Sequence, residues 1–342
     1  MKPRFSVVAP IYNEEALVEE FYRRVHAVME SLDKPWELVL VDDGSRDRSP
    51  DLMDQLHVQD PGHVVVLHFA RNFGHQLAIT AGMDYARGDA VIVIDADLQD
   101  PPEVIADLIA KWREGYEVVY AVRAEREGET WFKLFTANLF YRLIQILTDV
   151  TIPLEAGDFR LLDRQVIEVL RQMRESHRFV RGMVPWIGFR QTGVPYKRFA
   201  RAAGESKYPF HKMFRLALDA VTGFSLLPLK LATWLGTAAV LAGLILALIL
   251  LILRLHGNTP LAGQGLTASL VLFVGGVQLW IVGILGEYLG RIYDEVRHRP
   301  LYIVREIKRQ EKQLTKKKMS KWTAPPKKEA NFNAETPRRR DS

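Results

Sequence analysis

The chain contains no cysteine among its 342 residues, which excludes disulfides, thiolate nucleophiles and cysteine metal sites and fits a reducing compartment. No Gly-x-Gly-x-x-Gly follows the first strand-like run, and no P-loop is present, so the glycine cradles of NAD-linked dehydrogenases and P-loop nucleotidases are missing. No internal repeat is visible. A secretory leader is not apparent either: the apolar start over residues 5–11 is short, contains Pro10 and runs into Asn13, Glu14 and Glu15. The N-terminal part is therefore expected to stay in the cytoplasm.

Charge is absent from two long stretches. Residues 231–253 and 266–286 hold no Asp, Glu, Lys or Arg, and each is long enough to cross a hydrocarbon core of about 30 Å as a helix. Lys212, Arg215 and Lys230 precede the first stretch and Arg291, Arg297 and Arg299 follow the second, while residues 254–265 carry one Arg. That asymmetry predicts a two-helix transmembrane hairpin with both termini cytoplasmic. From Arg305 onward the chain has 13 Lys and Arg against 5 Asp and Glu, a surplus larger than the net charge of +5, so the rest is slightly acidic. Basicity confined to a tail argues against a nucleic-acid face. Two readings stay open for it, anionic lipid headgroups and a solvated tail that enforces topology, disordered after about residue 316.

Residues 5–122 alternate short β-rich runs (5–9, 38–41, 64–69, 91–94, 118–121) with amphipathic helical patterns such as 14–29 and 104–114, the latter entered through Pro101 and Pro102. The pattern predicts an α/β fold with a largely parallel sheet. Residues 131–148 and 208–226 mix Phe, Leu and Tyr with Lys, Arg and His, as helices lying in a membrane interface do, and the first suits a core-facing helix equally.

Three polar clusters each follow a strand: Pro10-Ile11-Tyr12-Asn13-Glu14, Asp42-Asp43-Gly44-Ser45 and Asp95-Ala96-Asp97-Leu98-Gln99. Any one could be a turn or a helix cap; three at one sheet edge make a site, because ligands of such sheets bind beyond the strands' C-terminal ends. Carboxylates two apart, Asp95 and Asp97, can hold a hard divalent cation, Mg²⁺ or Mn²⁺, and leave positions open for diphosphate oxygens. Asp42 would hydrogen-bond a base or ribose, and Tyr12 offers either a stacking face or packing.

Together these clusters resemble the signature of the GT-A-fold family 2 glycosyltransferases, a fold with a Rossmann-like catalytic domain. The run 97–103, the run Arg201-Ala202-Ala203-Gly204-Glu205-Ser206-Lys207 and the C-terminal pair of spans further resemble the bacterial polyprenyl-phosphate glycosyltransferases related to dolichyl-phosphate mannose synthase, over about residues 5–300. The resemblance implies a catalytic domain over 1–206, a juxtamembrane segment over 207–230, the hairpin over 231–290 and a tail over 291–342. It implies a nucleotide-sugar donor at Pro10, Tyr12, Asn13, Glu14, Asp42, Asp95 and Ala96, with Arg201 and Lys207 clamping its diphosphate. The metal would sit on Asp95, Asp97 and Gln99. Arg123 would receive the phosphate of a polyprenyl acceptor, with Lys133 the nearest second cation, and the catalytic set would be Asp158, Asp97 and Arg160.

Processive members of the family carry Gln-x-x-Arg-Trp where this chain reads Arg178-Phe179-Val180-Arg181-Gly182, which favours single transfer. UDP-glucose and undecaprenyl phosphate are the expected substrates by resemblance, with 4-amino-arabinose, N-acetylglucosamine and mannose donors, or a glycan acceptor, as alternatives. A non-catalytic membrane scaffold is the reading from another class. A product left on the cytoplasmic side would need a flippase. Gly276, Gly283, Gly286 and Gly290 line one face of the second span, where helices could approach within the hairpin or in a homo-oligomer.

Overall fold

A computed structural model of the chain describes residues 2–123, 156–197, 227–255 and 263–310. The two interface segments expected at 131–148 and 208–226, and with them Lys133, Arg201 and Lys207, lie outside the described residues.

In chain order the elements are β1 (Phe5–Ile11), α1 (Val18–Ser31), β2 (Trp36–Asp42), α2 (Ser49–Gln59), β3 (Val64–Phe69), α3 (His75–Tyr85), β4 (Ala90–Val93), a 3-10 turn (Pro102–Val104) leading into α4 (Ile105–Arg113), β5 (Val118–Arg123), β6 (Ala156–Asp163), α5 (Arg164–Gln172), α6 (Val180–Trp186), β7 (Gln191–Tyr196), two long helices α7 (Leu227–Leu255) and α8 (Gly263–Val296), and β8 (Val304–Lys308). The strands form one sheet in the order β7-β5-β6-β4-β1-β2-β3-β8. Pairings β1–β2, β1–β4, β2–β3 and β5–β7 are parallel, and β4–β6, β5–β6 and β3–β8 are antiparallel. Six strands thus share a direction, while β6 and β8 enter at the edge where the other six end.

The central strands read as unbroken apolar runs because both faces of the sheet are covered. Side chains alternate between two cores: Val7, Ala9 and Ile11 join one and Val8 the other. Val18, Phe21, Val25 and Met29 form the buried stripe of α1, each at most 1% exposed. The helix starts at Val18 instead of residue 14: a turn comes first, with Leu17 N and Val18 N donating to the Glu14 carbonyl, and the Glu14 and Glu15 N–H groups donate to Ser49 Oγ and Asp47 Oδ2, bracing the loop after β1.

The two charge-free stretches fall within α7 and α8. Among the described residues, Phe273–Val296, with mean hydropathy 1.4, is long and apolar enough to cross a membrane, and α7 contains a shorter apolar segment, Ala232–Gly243. The last turns of α8 carry Asp294 and Glu295, which meet His177 (3.1 Å) and the Ser176 N–H (2.9 Å) of the loop before α6. A Cβ built on Gly276, Gly283, Gly286 or Gly290 meets nothing within 4 Å, so among the described residues this face is not packed against α7.

The sheet does not end where the sequence suggested. The tail expected from residue 291 returns as β8, pairing Val304 with Phe69 and Lys308 with Val66. Arg309, next in the chain, reaches Glu37 and the Tyr85 carbonyl at 3.4 and 2.8 Å.

Candidate functional site

The shared direction of β1, β2, β4, β5 and β7 brings Tyr12, Asp42-Asp43, Asp95-Ala96-Asp97, Arg123 and Tyr196 to one sheet edge. β6 supplies Asp158 from the opposite direction: Val93 pairs with Arg160, so continuing the antiparallel register by two residues sets Asp95 opposite Asp158.

The loops at this edge are cross-braced. Ser45 Oγ accepts from Asn13 N (3.1 Å), Asn13 Oδ1 accepts from Arg46 N (2.8 Å), and Asp43 N donates to the Ile11 carbonyl (2.9 Å). Asn13 and Leu98 hold left-handed backbone, with φ of 53° and 57°, a conformation that costs a leucine about 1–2 kcal/mol and concentrates at functional turns. Gly44 has φ of 68°, and a Cβ there would stand 2.6 Å from the Arg71 carbonyl carbon and Asn72 N. Only glycine fits this turn.

Asp42 and Asp43 serve the scaffold. Asp43 accepts from the N–H groups of Phe73 (2.7 Å) and Gly74 (3.2 and 3.0 Å) and from Asn72 Nδ2 (3.0 Å), fixing the loop that opens α3. Asp42, 2% exposed, accepts from Ser45 N at 2.8 Å and faces His68 Nδ1 at 3.1 Å. His68 Nε2 in turn lies 3.0 Å from Asp54, whose second oxygen meets Lys308 Nζ at 2.6 Å. Burial alone would push the His68 imidazole down, but the Asp42 and Asp54 carboxylates outweigh it and hold it above its ordinary value.

At the centre, Arg181 of α6 grips Asp158 with two parallel bonds, Nε to Oδ1 and Nη2 to Oδ2, both 2.8 Å. His75, the first residue of α3, places Nε2 3.2 Å from Asp158 Oδ2 and 3.5 Å from Asp95 Oδ1. Burial would raise Asp158, yet Arg181 and His75 hold its carboxyl well below the usual range. Against the burial that would lower it, Asp95 and Asp158 push His75 up to about 9. Arg160, 4% exposed, donates Nη2 to the Gly157 carbonyl at 2.7 Å, and burial lowers its guanidinium to about 10. Arg123 Nη2 lies 3.5 Å from where a Cβ on Gly157 would stand. Tyr196 hydroxyl donates to Asp100.

The acidic run fits a divalent cation. Asp95 Oδ1 is buried without a hydrogen-bond partner, since His75 at 3.5 Å is too distant. Burial pushes Asp95 up to about 6, and Asp158, Asp97 and Asp100 push the same way while His75 opposes them. A divalent cation would offset that burial and the crowding of carboxylates. Among the described residues no three His, Cys, Asp or Glu side chains close a metal cage. Asp97 Oδ1 accepts from Gln99 N at 3.1 Å, closing the turn that carries both.

Sequence reasoning passed over His75, His68 and the grip of Arg181 on Asp158. Arg178, in the same run as Arg181, turns away: it donates to the Leu170 carbonyl at 3.3 Å and to that of Met173, capping the end of α5. Nothing in the spacing of Arg178 and Arg181 separates the cap from the site residue; the fold does.

Comparison with known proteins accords with this architecture. Residues 6–171 match the model of glycosyl transferase family 2, and residues 227–292 match that of the GtrB C-terminal hairpin. An uncharacterized glycosyltransferase, YkcC of Bacillus subtilis, is 50% identical over 303 residues, covering 89% of this chain and 94% of that protein. The bactoprenol glucosyl transferase of Shigella phage SfV is 40% identical, covering 89% of this chain and 99% of its own. The undecaprenyl-phosphate 4-deoxy-4-formamido-L-arabinose transferase of Pseudomonas aeruginosa is also 40% identical, covering 89% and 90%. The chain is a member of glycosyl transferase family 2, with a GT-A α/β catalytic domain built on a mostly parallel sheet.

Proposed function

We propose that the chain transfers one sugar, glucose from UDP-glucose, to undecaprenyl phosphate with inversion at the anomeric carbon, at the cytoplasmic face of the inner membrane. The observation that carries the reading is the meeting of the Asp95-Ala96-Asp97 turn with Asp158 and its arginines at one sheet edge, which supports a cation site beside a phosphate site. The relatives' names, glucosyl transfer to bactoprenol and sugar transfer to undecaprenyl phosphate, support the lipid acceptor. The second of these, named for 4-deoxy-4-formamido-L-arabinose, is equally similar and supports an arabinose-derived donor as the alternative.

Asp95, Asp97 and Gln99 would hold Mg²⁺ or Mn²⁺, which when bound offsets charge growing on the leaving diphosphate. Asp42 and Tyr12, with Pro10, Asn13, Glu14 and Ala96 of the braced loops, would frame the nucleoside side. Asp42 would do so through the second lone pairs of oxygens already bonded to Ser45 and facing His68. Arg201 and Lys207 would clamp the donor diphosphate, and Arg123, with Lys133, the acceptor phosphate.

The acceptor is a phosphate monoester whose second pKa is near 6, so at neutral pH it arrives mostly ionised. Little proton removal is needed. Asp158, paired with Arg181 and His75, is a weak base and a fixed charge, so its part is to align acceptor and sugar, with Arg160 holding the Gly157 carbonyl beneath it.

The hairpin reading, with the domain limits expected from the sequence, rests on α7, α8 and the match to the hairpin family. Since β8 begins at the site edge shortly after α8, the hairpin would leave the membrane near the catalytic edge, within reach of a phosphate at the lipid surface.

The test is incubation of membranes carrying the chain with labelled nucleotide-sugars, undecaprenyl phosphate and Mg²⁺ or Mn²⁺, followed by lipid extraction. Label from UDP-glucose in the lipid phase is expected. Label from another donor alone would replace the sugar, and none from any donor would leave the scaffold reading.

A further inference from the structure

Three guanidiniums and one carboxylate gather at the start of β6. Asp158 is 5% exposed; Arg181 is bonded to it, Arg160 to the carbonyl of the preceding residue, and Arg123 lies beside that same Gly157. An arginine does not shed its proton at physiological pH. With the His75 imidazole 3.2 Å from Asp158 and Asp95 3.5 Å from that imidazole, the described groups here carry a surplus of positive charge, the sign a phosphate monoester dianion would match. Buried charge of one sign is costly unless something balances it, and Arg123 Nε and Arg160 Nε are buried with no hydrogen-bond partner among the described residues.

Of the three, Arg181 is the one placed to meet a ligand directly. Its side chain is 33% exposed, whereas Arg160 is buried at 4%. Asp158 takes the Nε–Nη2 edge of the planar group, which fixes its plane and its direction; a guanidinium fixed in this way is a rigid fork for tetrahedral oxyanions. A cation that only paired Asp158 would not need to sit among two further arginines.

We infer that Arg181 binds the phosphate of the lipid acceptor, held in register for it by its two-point bond to Asp158. The assignment rests on the proposed acceptor. It makes Asp158 the brace of a phosphate fork, and it gives the Arg178–Gly182 run a role in single transfer that the Gln-x-x-Arg-Trp comparison alone does not suggest.

The experiment is steady-state kinetics of the purified full chain in detergent with undecaprenyl phosphate and the donor that labels lipid, for the unaltered chain, Arg181→Gln and Arg181→Lys. Arg181→Gln is expected to raise the acceptor KM about tenfold to a hundredfold, the range for losing a charged hydrogen-bond partner. The donor KM should stay within about twofold, which also reports a folded protein. Arg181→Lys, keeping the charge and losing the fork, should fall between, and it decides by the same comparison if the Gln variant does not fold. A fall in kcat with both KM values unmoved would overturn the assignment, leaving Arg181 a support for Asp158. A rise in donor KM instead would overturn it in favour of the donor diphosphate. Absence of lipid transfer by the unaltered chain would remove the proposed function and this assignment together, whereas transfer with an unmoved acceptor KM in both variants would remove the assignment alone.

Discussion

Arg309 lies 3.4 Å from Glu37, with side chains only 11% and 8% exposed, although both long helices intervene between them in the chain. Glu37 is anchored by Ser6 Oγ and Arg87 N, each donating at 2.6 Å, so removing Arg309 strands a buried carboxylate. Arg309→Ala is expected to cost about 3 kcal/mol, the low end for breaking a buried pair. Lys308→Ala, which opens a pair to Asp54 about one-third exposed, should cost under about 1 kcal/mol. Denaturant midpoints of the two variants measure the contrast; equal losses would show that β8 is held by its strand pairing alone.

His68 sits between Asp42 and Asp54 with its value held above the ordinary 6.5. A group raised on folding contributes stability that is complete below 6.5 and disappears as pH climbs through the raised value. The stability gap between the unaltered protein and His68→Gln should therefore be larger at about pH 6 than at about pH 9. Unfolding curves at both pH values check it, and a gap that does not change would mean that His68 is neutral.

Asp158→Asn leaves Arg181 and His75 facing a neutral amide. Turnover at saturating acceptor is expected to fall by about two orders of magnitude or more through lost alignment, and thermal stability should drop with it, because Asp158 is buried against those cations. Near-full turnover would remove both the orienting role and any role as base.

For the cation, chelation should abolish transfer, and Mg²⁺ or Mn²⁺ should restore it. Asp97→Ala should weaken Mn²⁺ binding, followed directly by the spin resonance of the free ion, by at least about tenfold. Unchanged Mn²⁺ affinity in both Asp97→Ala and Asp95→Asn would place the cation elsewhere.

Gly44→Ala forces a Cβ against the backbone of Arg71 and Asn72 at a φ of 68°. A loss of roughly 1–3 kcal/mol is expected, with a raised donor KM if the turn frames the nucleoside as proposed. Melting temperature and donor kinetics read the two effects separately.

What could be read from the sequence followed from short-range physics. The apolar runs of β1 to β5 and the stripe of α1 repeat at the periods of strand and helix, and the polar clusters stand directly after strands, so the sheet edge was visible. The pairing of β6 was not, because Asp158 reaches Asp95 only through an antiparallel register between strands far apart in the chain. His75 carries no pattern of its own, since its meaning comes from two carboxylates brought in from β4 and β6. β8 is the plainest omission: Val304–Lys308 carries two exposed charges and a tail-like composition, and the pairing with β3 that makes it a strand reaches across both long helices in the chain.

That pairing orders events during synthesis. β3 leaves the ribosome early, but the strand that covers its outer edge follows only after α7 and α8 have been made. Until then the domain presents an uncapped edge strand, with Glu37 and Asp54 still lacking Arg309 and Lys308. Completion of the sheet thus waits on synthesis of both hydrophobic helices, and the nascent domain keeps this edge open until the chain has passed them.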